Sequence, residues 1–147
     1  MNANLDHVPG LAVPGLVPPT QYPLTTGYWA AADDGRLVVQ RCDRCGTHRH
    51  LPAPVCHACQ APEWSWSELS GSGSVYSYTW VRTALTDAFA AVVPFNVCVV
   101  ELDGADGVRL AATVTDVDED TDLVGTRVQA YFAELGNGHR LLLFAPV

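Results

Sequence analysis

From Gly73 onward the apolar positions gather into short β-like runs separated by polar, glycine-rich breaks. VYSYTWV (75–81), FNVCVVEL (95–102), VRLAATVT (108–115), TRVQAYFAE (126–134) and HRLLLFA (139–145) are five runs rich in Val, Tyr, Phe, Leu and Thr. These residue types fit a pleated, half-buried surface, so each run predicts a strand. DGADG (103–107) and GNG (136–138) carry hairpin-turn chemistry. DVDEDTDLVG (116–125) is a longer acidic connection, where a closed barrel could place a short helical turn. Five strands with the longer crossing between the third and fourth predict a small Greek-key barrel of the OB type.

The first half reads differently. Thr26 is placed to cap a short helix running through Tyr28, Trp29 and Ala30–Ala32, closed by Gly35. Its apolar residues are few, so it needs a surface to dock on. Leu37 to Gln40 reads as a short strand leading into a cysteine segment at 42–59, and a Trp-rich strand follows it. Residues 1–25 hold five of the ten prolines and cannot form a helix. They predict an extended arm, either free or docked on a partner, with Leu11, Val13, Leu16, Val17 and Tyr22 as its apolar positions. The expected organisation is therefore an arm at 1–25, a short helix and ribbon at 26–70, and an OB-fold domain at 71–147.

Composition narrows the function. Of 147 residues 48% are hydrophobic and 16% charged, enough to bury a core. The 8 basic residues, all Arg, face 16 acidic ones for a net charge of −8. Such a chain repels phosphate backbones as a whole, so nucleic acid is not the expected partner. No run of 18 apolar residues predicts a membrane helix. The start MNANLDHVPGLAVPG lacks a basic n-region and is interrupted by Asp6, Pro9 and Pro14, which argues against a secretory signal and for a cytoplasmic protein.

Four of the five cysteines stand in two C-x-x-C pairs, Cys42/Cys45 and Cys56/Cys59, ten residues apart. Two such knuckles facing each other form a tetrahedral four-thiolate site, which Zn(II) accepts without geometric strain. One structural zinc is expected, in a closed site with no position left for chemistry. An iron site shares this spacing. His48, His50 and His57 lie in the segment and read as surface histidines once four cysteines are in place. Arg36, Arg41, Arg44 and Arg49 are half of the basic residues, gathered in fourteen positions. They read either as charge compensation for a dianionic zinc centre or as a small anion site.

Elsewhere the candidate chemistry is thin. Cys98, between Val97 and Val99, reads as a small buried hydrophobe. Tyr76, Tyr78 and Trp80 fall on one face by period two, where they could stack bases or pack against a partner. The loop RTALTDAFAAVVP (82–94) is long and apolar, with Leu85, Phe89, Val92 and Val93 lacking an obvious core position. Asp116, Asp118 and Asp120 resemble the start of a calcium loop, but Thr121 and Arg127 stand where Gly and Glu are required. No nucleophile–base pair or phosphate loop is present in the sequence pattern.

The order of parts is itself informative. GYWAAADDGRL, then C-x-x-C-G, LPAPVCHACQ, a Trp-rich strand, GSGSVYSYTWV and PFNVCVVELDG resembles the zinc-ribbon/OB-fold acyl-CoA-associated family, first described as domain of unknown function thirty-five. The resemblance covers roughly residues 25–146. It implies a mainly β chain: an N-terminal short helix and rubredoxin-like ribbon, then a five-stranded OB barrel. It also implies a non-catalytic accessory subunit that supports a thiolase-fold partner (thiolase, aldolase or acyltransferase) and helps form its CoA or acyl-CoA site. By residue it implies zinc at Cys42, Cys45, Cys56 and Cys59. Partner or CoA contact would fall at Arg82, Phe89, Pro94, Phe95, Tyr28 and Trp29. The alternative is an autonomous OB-fold module binding single-stranded nucleic acid or acyl-CoA.

Overall fold

A computed structural model of the protein describes residues 3–4 and 22–147, except 85, 91, 136 and 137. The proline arm expected over 1–25 therefore lies largely outside the described residues. Its Ala3–Asn4 (β1) pairs in parallel with Ala133–Glu134.

Helix α1 spans Thr26–Asp33. Thr25, not Thr26, stands at its N-cap and makes no side-chain cap bond. The far end follows expectation. Gly35 takes φ +76°, its N–H bonds Ala32 O, and the Arg36 N–H bonds Ala31 O. This paired closure satisfies two otherwise orphaned carbonyls, and glycine adopts the positive φ without steric cost.

The ribbon sheet has the order β3 (His48–Arg49), β2 (Leu37–Cys42), β4 (Trp64–Leu69), all antiparallel. Strand β2 is buried at every position but Arg41. Helix α1 packs on it, which explains its near-continuous apolar sequence. Glycine at 27 allows this approach: a Cβ there would meet the Trp66 indole Nε1 at 2.1 Å.

The barrel contains β5 (Ser72–Val81), β6 (Phe95–Leu102), β7 (Arg109–Ala112), β8 (Arg127–Glu134) and β9 (Arg140–Pro146). Antiparallel ladders give the order β9-β8-β5-β6-β7, and a parallel bridge from Val114 to Phe144 ties the two ends together. This is the expected OB connectivity. Strand β6 alternates cleanly, with Asn96, Cys98, Val100 and Leu102 turned inward. Cys98, Val100 and Leu102 meet Val75, Leu110, Val114, Leu123, Val128 and Phe144 in one core. Each fully buried Val, Leu or Phe among them contributes about 1.5–3 kcal/mol.

Two expectations need correction. The acidic crossing 116–125 contains turns and no helix; the fully buried Leu123 pins it to the core instead. The aromatic row of β5 does not share a face. A β-bulge falls between Val75, paired with Val100, and Ser77, paired with Val99. Tyr76 is the extra residue, and an extra residue resets which side each later residue faces. Tyr76 is thus 53% exposed beneath the Arg109 guanidinium, 3.5 Å from its ring centroid, whereas Tyr78 packs on the core.

Candidate metal centre and barrel-end cleft

The two C-x-x-C segments fold into near-identical turns. In the first, Gly46 N–H bonds Cys42 O and Cys42 N–H bonds Thr47 O, both at 2.9 Å. In the second, Gln60 N–H bonds Cys56 O and Cys56 N–H bonds Ala61 O, again at 2.9 Å. The fifth position needs a left-handed backbone in each: Gly46 has φ +76° and Gln60 φ +61°. The turns face each other. Cys42 and Cys59 sulfurs are 3.6 Å apart, Cys45 and Cys56 also 3.6 Å, and all four lie within 4.8 Å of one another. A tetrahedral zinc–thiolate centre has sulfur–sulfur edges of about 3.8 Å, given its bond length. The donor set and its size therefore fit such an ion.

Electrostatics point the same way. The Thr47 hydroxyl, 3.1 Å away, and its backbone pull the Cys45 thiol down to about 6. The N–H groups of Cys59 and Ala58 hold the Cys56 thiol below its usual range. At Cys59 the Ala61 N–H acts downward, but burial and the three neighbouring cysteines outweigh it and push the thiol up to about 11. Four clustered thiols cannot all ionise unaided, and a divalent cation is what allows it.

The histidines are not uniformly superficial. His57 is exposed and His48 contacts the Ser67 hydroxyl at 3.2 Å. His50 lies against the Tyr28 ring, centroids 5.6 Å apart, and burial lowers its pKa. Tyr28 is itself pushed up to about 12 by burial, and stacks edge-on with Trp29 at 5.2 Å. Tyr28 thus belongs to the helix–ribbon packing, and half-buried Trp29 lies beside it on the helix.

The other candidates gather at one end of the barrel. Phe89, in a single 3₁₀ turn at Asp87–Phe89, stacks on Phe95 with centroids 6.0 Å apart. Val92 is 5% exposed, so it does find a core position, whereas Leu85 lies outside the described residues. Exposed Pro94 and half-buried Phe95 border a cleft of about 470 Å³ between residues 92–96 and 113–119, with Trp80 in its wall. Asp116, Asp118 and Glu119 supply its charge. Arg82 is exposed, and its Nε donates to Glu119 at 2.8 Å. Cys98 is fully buried beside Asn96 Oδ1, and burial pushes its thiol up to about 11.

Comparison with known proteins decides the family. Residues 29–65 match the model "ChsH2, rubredoxin-like zinc ribbon domain", and residues 66–133 match "ChsH2, C-terminal OB-fold domain". A "DUF35 domain-containing scaffold protein" of Methanocaldococcus jannaschii is 30% identical over 100 residues, covering 67% of this chain and 69% of that protein. The chain belongs to the DUF35 family. Among solved structures, the DUF35 chain matches one described as "Ltp2-ChsH2(DUF35) aldolase" with a TM-score of 0.79 and 32% identity. That match covers 88% of the DUF35 chain and 98% of its counterpart. A DUF35 protein of unknown function from Sulfolobus solfataricus shares the fold, with a TM-score of 0.58 at 15% identity over 85% of this chain and 86% of that one. A "Probable enoyl-CoA hydratase alpha subunit" of Thermomonospora curvata is 34% identical over 119 residues. The match takes in 81% of the DUF35 chain, which spans about a third of that longer relative (36%). The ribbon match and the sulfur cluster identify the cofactor as one structural zinc.

Proposed function

We propose that this chain is a non-catalytic accessory subunit that binds and supports a thiolase-fold enzyme acting on acyl-CoA thioesters, as thiolase, aldolase or acyltransferase, in the cytoplasm. The observation that carries the reading is the 32% identity and TM-score of 0.79 along 98% of the ChsH2 chain of an aldolase. The name of the Thermomonospora relative supports the thioester class. Chemistry on this chain agrees. Cys42, Cys45, Cys56 and Cys59 are the ligands of the zinc and leave no open position. Cys98 is sealed in the core with a disfavoured thiolate, so it is no nucleophile. Phe89, Pro94 and Phe95 form the contact region for the partner or the CoA chain. Arg82 serves a phosphate only by releasing Glu119. Tyr28 and Trp29 contribute through the helix that faces the ribbon.

The test is affinity purification of the full chain from its native cell, followed by turnover assays with and without the captured protein. The expected result is a thiolase-fold partner, no turnover by this chain alone, and turnover by the complex. Recovery of a monomer with no such partner, or thioester turnover by the isolated chain, would overturn the proposal.

A further inference from the structure

The four arginines within residues 36–49 meet different fates. Arg36 bridges Asp34 and Glu68 at the surface. Arg41 and Arg44 are exposed. Arg49 alone is buried, at 5% exposure. Its Nε donates to Gln40 Oε1 at 2.7 Å and its Nη2 to Ala53 O at 3.2 Å, while its Nη1 has no acceptor. Among the described residues, no carboxylate lies within 4.0 Å of it. A guanidinium cannot shed its proton, and a buried cation with only neutral acceptors is costly unless an anion compensates it.

Strand register puts the thiolate cluster on the same face as Arg49. Gln40 stands opposite Arg49 and Arg41 opposite His48. Side chains two apart on a strand share a face. Gln40 and Cys42 are therefore on one face, and Arg49 lies across from Gln40 on that same face. Thr47, two residues before Arg49, accepts from the Cys42 N–H and touches the Cys45 sulfur. Four thiolates around a divalent ion leave a net charge of about −2. The other groups lining the adjacent cavity are His48, His50 and His57, with the exposed Asp106 as its one carboxylate.

We propose that Arg49 is the buried counter-charge of the zinc–thiolate centre, a positioning residue that sets how tightly the ribbon holds its ion. The proposal rests on the four-cysteine ligand assignment. Metal content of the full chain and of Cys42→Ser tests that assignment separately. Zinc affinity is then measured by competition with a chromophoric chelator for the parent, Arg49→Met, Arg49→Lys and Arg41→Gln.

The expected result is a loss of about tenfold or more for Arg49→Met, against about threefold or less for Arg49→Lys, which keeps the charge. Arg41→Gln should stay within about threefold although its guanidinium lies beside Gly46 of the first knuckle, because an exposed charge is screened by water; a loss matching that of Arg49→Met overturns the proposal. The Arg49→Met loss should persist between about 0.1 and 0.5 M salt, since buried pairs are weakly screened. Should Arg49→Met fail to fold, Arg49→Gln carries the same comparison. Parent-like affinity in the neutral variant overturns the proposal. So does equal loss in the neutral and lysine variants, which would reduce Arg49 to a hydrogen-bonding partner of Gln40.

Discussion

Asp33, the last residue of α1, accepts the backbone N–H of Arg140 at 2.9 Å and faces His139 Nδ1 at 3.0 Å. The contact joins the helix to the first residue of strand β9, more than a hundred residues along the chain. The same helix lies on β2 of the ribbon, so it fastens ribbon to barrel. Asp33→Ala leaves the Arg140 N–H without its acceptor and should cost about 1–3 kcal/mol. Asp33→Asn keeps an acceptor oxygen and should cost less. Denaturant unfolding of the zinc-loaded chain measures both; equal stability of Asp33→Ala and parent would show that the helix is held by its apolar face alone.

The helix and the second knuckle give an opposite pair of substitutions. Gly27→Ala drives a methyl group into the Trp66 indole and should destabilise by about 1–3 kcal/mol. Gln60→Gly relieves a left-handed φ of +61° and should stabilise by about 0.5–1 kcal/mol. Thermal unfolding checks the signs: a neutral Gly27→Ala would mean that the tryptophan moves aside freely.

Metal analysis should find one zinc per chain. Cys42→Ser and Cys56→Ser remove buried ligands and should abolish stoichiometric retention, because binding and ribbon folding are linked, with roughly 10 kcal/mol at stake. Undiminished zinc in Cys42→Ser would exclude the four-cysteine assignment.

Cys98 gives a pH dependence. Its folded thiol is raised to about 11 from an ordinary 9.0. A raised folded value means the neutral form is favoured on folding. The contribution, about 3 kcal/mol at most, is complete below pH about 9 and lost as pH rises toward 11. Tyr28, raised to about 12, extends the loss at still higher pH. Cys98→Ala should flatten the limb between about pH 9 and 11 and leave the upper one. In thiol labelling near neutral pH, chelation should release four reactive cysteines; a fifth would show that Cys98 is not sealed.

Phe89→Asp should weaken the proposed complex while leaving zinc content unchanged. The ring stacks on Phe95, and a carboxylate there would need desolvation at several kcal/mol once a partner covers it. Co-purification yield reads the effect, with Pro94→Ala as a milder control. Full recovery of the complex would move the contact surface elsewhere.

The sequence made the β-rich fold, the turn at 103–107 and the four-cysteine cluster legible because each is written locally, while the turn expected at 136–138 lies largely outside the described residues. Val-, Tyr-, Phe- and Leu-rich runs marked β6, β8 and β9, and C-x-x-C marked the knuckles. The bulge at Tyr76 was not legible: an inserted residue has no composition of its own, and only the pairing with Val99 and Val100 reveals it. The separation of Arg49 from its neighbouring arginines was hidden too. Charge clustering along a chain says nothing of which guanidinium a strand turns inward; the Gln40–Arg49 register does. Phe89, Pro94 and Phe95 were found together because they are near in sequence, whereas the opposing wall at 113–119 is brought there by barrel closure.

The four sulfurs are unequally sheltered. Cys42 and Cys56 are buried, Cys59 is partly covered, and Cys45 is exposed. Ligand exchange at such a centre has one door. A competing chelator or an oxidant first meets the Cys45 sulfur, and the inner pair follows only after the outer bond has opened. The ion can then be held tightly at equilibrium and still be kinetically labile from that side. The speed at which zinc would be traded or lost then depends on access to Cys45 as well as on the strength of the four bonds.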